Sequence, residues 1–106
     1  MAVIDISTIP SRDLAPGIHA RVMHGQALSM MRVHIDAGSN LPEHSHPHEQ
    51  ATTVLSGHLR LFLADVPHDL YAGMALFIPS GVPHHAHAFL ETDVIDVFTP
   101  TRDDLR

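Results

Sequence analysis

The regular spacing of short apolar runs is the feature that most limits how this chain can fold. Runs rich in Val, Ile, Leu, Thr and Phe alternate with clusters of Gly, Pro, Asp and Ser at intervals of about eight to twelve residues. No stretch of about ten residues keeps a helical period. This spacing predicts an all-β sandwich or barrel, with strands at residues 18–24, 28–35, 50–55, 59–64, 75–78, 85–89 and 94–98.

The length of the chain favours a single domain over residues 1–106. A domain of this size buries roughly 65% of the surface that its unfolded chain exposes, which is enough for a core without covalent links. The sequence contains no cysteine, so disulfide scaffolds, thiol nucleophiles and iron–sulfur clusters are excluded. It also shows neither a signal peptide nor a run of about 18 apolar residues, so we expect a cytoplasmic protein with no membrane partner.

The charged residues argue against nucleic-acid binding. Twelve acidic residues face six arginines and no lysine, for a formal charge of −6, whereas binding to a phosphate backbone requires clustered cations. The unusual number is eleven histidines. Histidine is a common ligand of transition metals and titrates near neutral pH, so a metal site is a natural hypothesis.

Three of these histidines alternate in the stretch PEHSHPHEQ, residues 42–50. In an extended strand His44, His46, His48 and Gln50 would share a face, and Glu49 would point the other way. Pro47 argues against a regular strand here, so parity is only a guide. His48 remains a rival for a place among the metal ligands.

The stretch belongs to the first of two glycine-bounded motifs. Residues 38–57 read G-x5-H-x-H-x3-Q-x6-G, and residues 73–88 begin G-x5-P-x-G-x2-H, where the last letter is His84. Together the motifs resemble those of the cupin superfamily. Two positions differ from that pattern: Gln50 replaces the usual glutamate, and Ala88 replaces the usual asparagine.

The resemblance implies a single-domain cupin, which is a double-stranded β-helix or jelly-roll barrel. It also implies one divalent transition metal ion, held by His44, His46, Gln50 and His84. Imidazole and amide ligands are compatible with Zn, Ni, Mn or Fe. His85 and His87 have the opposite parity to His84 and are expected to face away or to form the rim, whereas the direction of His34, His58 and His68 stays open.

A second group of polar residues lies near the C-terminus. The apolar run at residues 94–98 carries Asp96 in its middle, and Arg102 follows a Thr-Pro turn. An ionised carboxylate is costly to bury without a partner. From physics alone, Asp96 either faces solvent on an edge strand, with Arg102 as a surface charge, or it has a function.

This C-terminal pattern resembles the KdgF family of small cupins, which act in pectin degradation. Membership would imply conversion of 4,5-unsaturated uronates to their linear keto form. Asp96 would then move a proton, Arg102 would bind the substrate carboxylate, and Phe98 would stack on the sugar. The alternatives are a cupin dioxygenase or isomerase for another small molecule, and a cupin that binds a small molecule without turnover. The expected partners are a sugar-acid substrate and a second copy of the chain, in a homodimer.

Overall fold

The chain folds almost wholly into β-strands in a computed structural model that describes residues 3–106. The first two residues of the predicted domain, Met1 and Ala2, lie outside this range. The strands are β1 (Arg12–Ala15), β2 (Ile18–His24), β3 (Ser29–Ile35), β4 (Asn40–His44), β5 (Glu49–Ser56), β6 (His58–Leu63), β7 (Val66–Tyr71), β8 (Ala75–Ile78), β9 (His84–Ala88) and β10 (Thr92–Thr99). Short 3₁₀ turns occupy Ile6–Thr8 and Asp103–Leu105. The all-β prediction is therefore confirmed.

The strands form two antiparallel sheets, as in a jelly roll. One has six strands in the order β1-β2-β3-β10-β5-β8, and the other has four in the order β4-β9-β6-β7. Their inner faces share one buried apolar core. Within the described part of the chain, no helix has the length and apolar character needed to cross a bilayer.

The seven predicted strands are present, with ends that differ by no more than two residues. The sequence did not predict β1, β4 and β7. The stretch at residues 42–50 is not one strand, because β4 ends at His44 and β5 begins at Glu49.

Alternation along β10 positions the most unusual polar group of the core. Thr92, Val94, Asp96 and Phe98 are buried, while the residues between them are only half-buried. The strand lies between β3 and β5 at the centre of its sheet. Asp96 is therefore on an inner face and not on an exposed edge, which removes the first of the two alternatives that the sequence left open.

Candidate metal centre

Three histidines converge where β4 ends and β9 begins. His44 is the last residue of β4 and lies opposite His84, the first residue of β9, in the strand register. Their ring centroids are 4.2 Å apart. His46 follows in the loop before β5, with its ring centroid 5.1 Å from that of His84. One ring nitrogen of each histidine lies within 4.8 Å of the others, which is close enough for one ion to contact all three.

Each of these rings is oriented by a backbone carbonyl. The Nδ1 atoms of His44, His46 and His84 lie 2.9, 3.0 and 2.9 Å from the carbonyl oxygens of Pro42, His48 and Val82. A carbonyl oxygen only accepts, so Nδ1 donates its hydrogen, and Nε2 of the neutral ring keeps a free lone pair. Metal-binding histidines are commonly fixed in this way.

Gln50 brings an amide oxygen to the same place. Its side-chain nitrogen donates to Thr52 Oγ1 at 2.9 Å, so its Oε1 is directed at His46 Nε2, 3.0 Å away. The lone pairs of Gln50 Oε1 and His46 Nε2 then face each other. A metal ion held by His46 and Gln50 would give both lone pairs a partner.

The two rival residues point elsewhere. Glu49 is exposed, on the opposite face of β5 from Gln50. His48 is buried, but its Nε2 lies 3.1 Å from the carbonyl oxygen of Thr101, where it is placed to donate a hydrogen bond. The group of three converging imidazoles does not include it.

The ligand set fits a divalent transition metal ion. His84 is 2% exposed, and within residues 3–106 its Nε2 has no hydrogen-bond partner, which is a costly state for a buried nitrogen. Burial lowers the pKa of His84 to about 4, and burial also lowers the pKa of His46. Both rings are therefore neutral near pH 7, which is the form that binds metal.

Asp96 is connected to this group through a threonine that the sequence analysis missed. Thr52 Oγ1 donates to Asp96 Oδ1 at 2.7 Å while accepting from Gln50. Burial raises the pKa of Asp96 to about 6, against the opposing effects of its hydrogen bonds with Thr52 and Gln50 and of the Arg102 charge. Thr52 pairs with Asp96 in the β5–β10 register. It also has the same strand parity as Gln50, and this parity was the only feature of the sequence that could have indicated that Thr52 faces the site.

Arg102 lies beside the site and is not a free surface charge. Its Nε and Nη2 donate to the two carboxylate oxygens of Asp104, at 3.1 and 2.9 Å. The guanidinium lies 4.6 Å from the ring centroid of Phe98. Because Phe98 is only 1% exposed, its ring has little surface left for stacking on a sugar.

All but one of the predicted site residues line a single cavity of about 360 Å³ between the sheets. His44, Gln50, His84, Asp96, Phe98 and Arg102 are at its wall, while His46 reaches the group of histidines from the adjoining loop. The rest of the wall is mainly apolar and includes Ile18, Met31, Val33, Leu59, Leu61 and Val94. A cavity of this volume suits a small molecule.

Comparisons with known proteins agree with this architecture. KdgF from Halomonas sp. matches with a TM-score of 0.92 and 28% identity, over 100% of this chain and 99% of that one. An RmlC-like cupin from Shewanella frigidimarina matches with a TM-score of 0.88 and 26% identity, over 94% and 91% of the two chains. A mutant of oxalate decarboxylase OxdC from Bacillus subtilis, at 21% identity and a TM-score of 0.84, shares the fold over 92% of this chain and 29% of its own.

Sequence comparison identifies the family. No curated protein sequence gives a significant match. A family model described as a cupin domain matches residues 31–95, which is more than half of the chain and includes both motifs. With its two antiparallel sheets and its histidines at the cavity wall, the chain belongs to the cupin family.

Proposed function

We propose that this cupin is a metal-dependent isomerase that converts 4,5-unsaturated uronates to their linear keto form. The observation that carries the proposal is that Asp96, Arg102 and three of the four proposed metal ligands line one cavity, with His46 beside them. The likeness to KdgF from Halomonas sp., which extends over the whole chain, supports it.

The reaction is an isomerisation that consumes no second substrate. The anomeric hydroxyl loses its proton, the ring bond between C1 and O5 breaks, and C4 gains a proton. Asp96 would accept the first proton and deliver the second, since a carboxyl with a pKa of about 6 gives and takes protons readily near neutral pH. Thr52 would hold the carboxylate in place through its 2.7 Å hydrogen bond.

His44, His46, Gln50 and His84 would hold the metal ion, which when bound supplies Lewis acidity to the oxygens of the sugar. These four ligands carry no charge of their own. They therefore leave the full charge of the ion to act on the substrate, at the expense of tighter binding. Zn, Ni, Mn and Fe all suit this ligand set.

Arg102 would bind the carboxylate of the uronate. Asp104 occupies one edge of the guanidinium, and the other edge, at Nη1, has no protein partner within residues 3–106. An arginine held this way presents its remaining donors in a fixed direction. Phe98 would then act through Arg102, because its ring supports the guanidinium.

The test is turnover of monomeric 4,5-unsaturated galacturonate by metal-loaded protein, followed as loss of absorbance from the conjugated double bond. We expect clear acceleration over the spontaneous reaction. The variant Asp96→Asn should lower kcat by about 100-fold or more, and Glu49→Gln, at an exposed position beside the site, should not change it. Full activity in a folded Asp96→Asn protein would show that Asp96 does not move the proton.

The apolar part of the cavity wall favours a second candidate function. Residues such as Met31, Leu59 and Leu61 suit a ligand that is less polar than a sugar acid. This candidate is a metal-dependent cupin dioxygenase or isomerase for another small molecule, or a cupin that binds such a molecule without turnover. Oxygen consumption by the Fe-loaded protein, with no activity on unsaturated uronates, would favour the dioxygenase.

A homodimer is also part of the proposal. Phe77, on the edge strand β8, is 71% exposed, and pairing of two copies would cover such a residue. Sedimentation or light scattering should give a mass of two chains, and Phe77→Ser should shift it toward one.

A further inference from the structure

A second group of histidines and carboxylates lies on the outer face of the six-stranded sheet. His19 on β2 and His34 on β3 are direct cross-strand partners, with ring centroids 6.3 Å apart. Asp36 follows β3, and Glu91 precedes β10. None of these four residues lines the cavity between the sheets.

Their side chains converge on Asp36. His19 Nε2 lies 3.2 Å from one carboxylate oxygen of Asp36, and His34 Nε2 lies 3.6 Å from the other. Glu91 contacts the same nitrogen of His34. One ligand atom from each of His34, Asp36 and Glu91 lies within 4.8 Å of the other two, so one ion could contact them together.

The opposite side of each ring is also held. His19 Nδ1 lies 2.7 Å from Asp13, and His34 Nδ1 lies 3.0 Å from Asp93. Asp93 is itself fixed by Arg32 at 3.1 Å and Ser56 at 3.2 Å. A carboxylate on the far nitrogen is the usual arrangement around a metal-binding histidine, because it fixes the ring and strengthens it as a ligand.

The surrounding carboxylates make this place attractive to a cation. His19 lies between Asp13 and Asp36, and His34 lies between Asp93 and Glu91. A cation bound beside His34 would therefore be attracted by carboxylates on more than one side.

We propose that His34, Asp36 and Glu91 form a second metal site, with Asp93 orienting the imidazole and His19 holding Asp36 in place through its 3.2 Å contact. The imidazole favours Zn²⁺ over Mg²⁺ and Ca²⁺, which prefer oxygen ligands. The site would join β3 to the segment before β10. The three side chains are between 43% and 63% exposed, so this site should bind its ion more weakly than the one in the cavity.

The test is calorimetric titration of the metal-free protein with Zn²⁺. We expect two equivalents for the unmodified protein, the second of them weaker. His34→Gln and Asp36→Asn should each remove the second equivalent and leave the first. His58→Gln is the matched control, because His58 pairs with Asp69 on the other sheet and should keep both equivalents.

Two further results distinguish a metal site from a network of ion pairs. Asp93→Asn, which removes the carboxylate on the far side of the His34 ring, should weaken the second equivalent by about 10- to 100-fold without removing it. A crystal soaked in Zn²⁺ should show anomalous signal between His34 and Asp36. A single equivalent in the unmodified protein, or a second equivalent that persists in both folded variants, would overturn the proposal.

Discussion

Gln50 is the residue that most affects the charge of the proposed metal centre. The cupin motif usually has a glutamate at this position, and a carboxylate would neutralise part of the charge of the ion. The amide keeps the same reach, since Gln50 Oε1 lies 3.0 Å from His46 Nε2, but it adds no charge. The site is therefore expected to favour strong polarisation of a ligand over tight retention of the ion.

We predict that Gln50→Ala weakens Zn²⁺ binding by about tenfold or more, a loss that even changes outside the ligand set commonly cause. Gln50→Glu should strengthen binding by adding a negative charge. Glu49→Ala is the control and should change little, because Glu49 is exposed and faces away. Chelator competition in a His34→Gln background, which removes the proposed surface site, measures the effect. A larger loss in Glu49→Ala than in Gln50→Ala would assign the ligand to Glu49.

Sequence spacing pointed to the residues that the structure brings together, but not to their partners. The two motifs specify His44, His46, Gln50 and His84 by position, and the structure places them around one point. Neither motif specifies Thr52 or Asp104, although Thr52 shares the strand parity of Gln50. Threonine is common in strands for reasons of shape, so only the β5–β10 register shows that its hydroxyl lies between Gln50 and Asp96.

At the scale of elements, the three strands missing from the sequence prediction are all edge strands. Each sheet edge formed by β1, β4 or β7 is paired on one side only. An edge strand has less of its surface buried, so its apolar residues do not alternate clearly, as the burial of β4 and β7 shows. Both strands also contain a proline, which a sheet edge tolerates because one side of the strand needs no hydrogen bonds. The inner strands, among them β3 and β10 with alternating burial, were predicted. The one edge strand that was predicted, β8, has four apolar residues in a row.

The turn between β5 and β6 depends on Gly57. Its φ is +97°, and a Cβ there would lie 2.3 Å from the carbonyl oxygen of Glu91 and 2.7 Å from the Cα of Thr92. Gly38 has a similar φ of +83° but open space around the position.

We predict that Gly38→Ala lowers the free energy of unfolding by about 1–2 kcal/mol, the usual cost of a left-handed backbone. Gly57→Ala should lower it clearly more, because the backbone at Glu91 and Thr92 must also move. Urea unfolding measures both values, and equal losses would show that the close approach of Glu91 does not matter.

The β6–β7 pairing contains a pH-dependent contact. Asp69 accepts from Arg60 Nε at 3.0 Å and lies 2.8 Å from His58 Nε2. The hydrogen bond to Arg60, followed by that to His58, lowers the pKa of Asp69. A lowered pKa means that the folded state favours the ionised form, so this stabilisation is present above the unfolded pKa of 3.8 and is lost as pH falls through the folded value.

We therefore predict that Asp69→Asn lowers the melting temperature slightly near pH 6, and that this effect shrinks as pH falls below 3.8 and the carboxylate becomes protonated. The effect should be small because the contact is exposed. Melting curves across this pH range measure it. In an Arg60→Gln background the difference between the two proteins should shrink, and an unchanged difference would place the interaction elsewhere.

At the scale of the whole molecule, the proposed metal centre joins the two sheets. His44 and His84 come from β4 and β9 of the four-stranded sheet, while Gln50 comes from β5 of the six-stranded sheet. An ion held by all of them would link the sheets at one end of the cavity. It would also give the buried Nε2 of His84 a partner, which it lacks within residues 3–106.

We predict that metal loading stabilises the fold and that chelation reverses this. A ligand that binds only the folded state, at a free concentration of about 100 times its Kd, contributes about 2.7 kcal/mol. For a chain of this size, that corresponds to a rise of roughly 10 °C or more in melting temperature.

His84→Gln should abolish most of the rise. His85→Gln is the matched control, because His85 stacks on Phe62 with the ring centroids 4.3 Å apart and has the opposite parity, so it should keep the rise. Melting curves with EDTA and with added Zn²⁺, in the His34→Gln background, make the comparison. An equal rise in the His84→Gln protein would mean that the stabilising ion does not bind between the sheets.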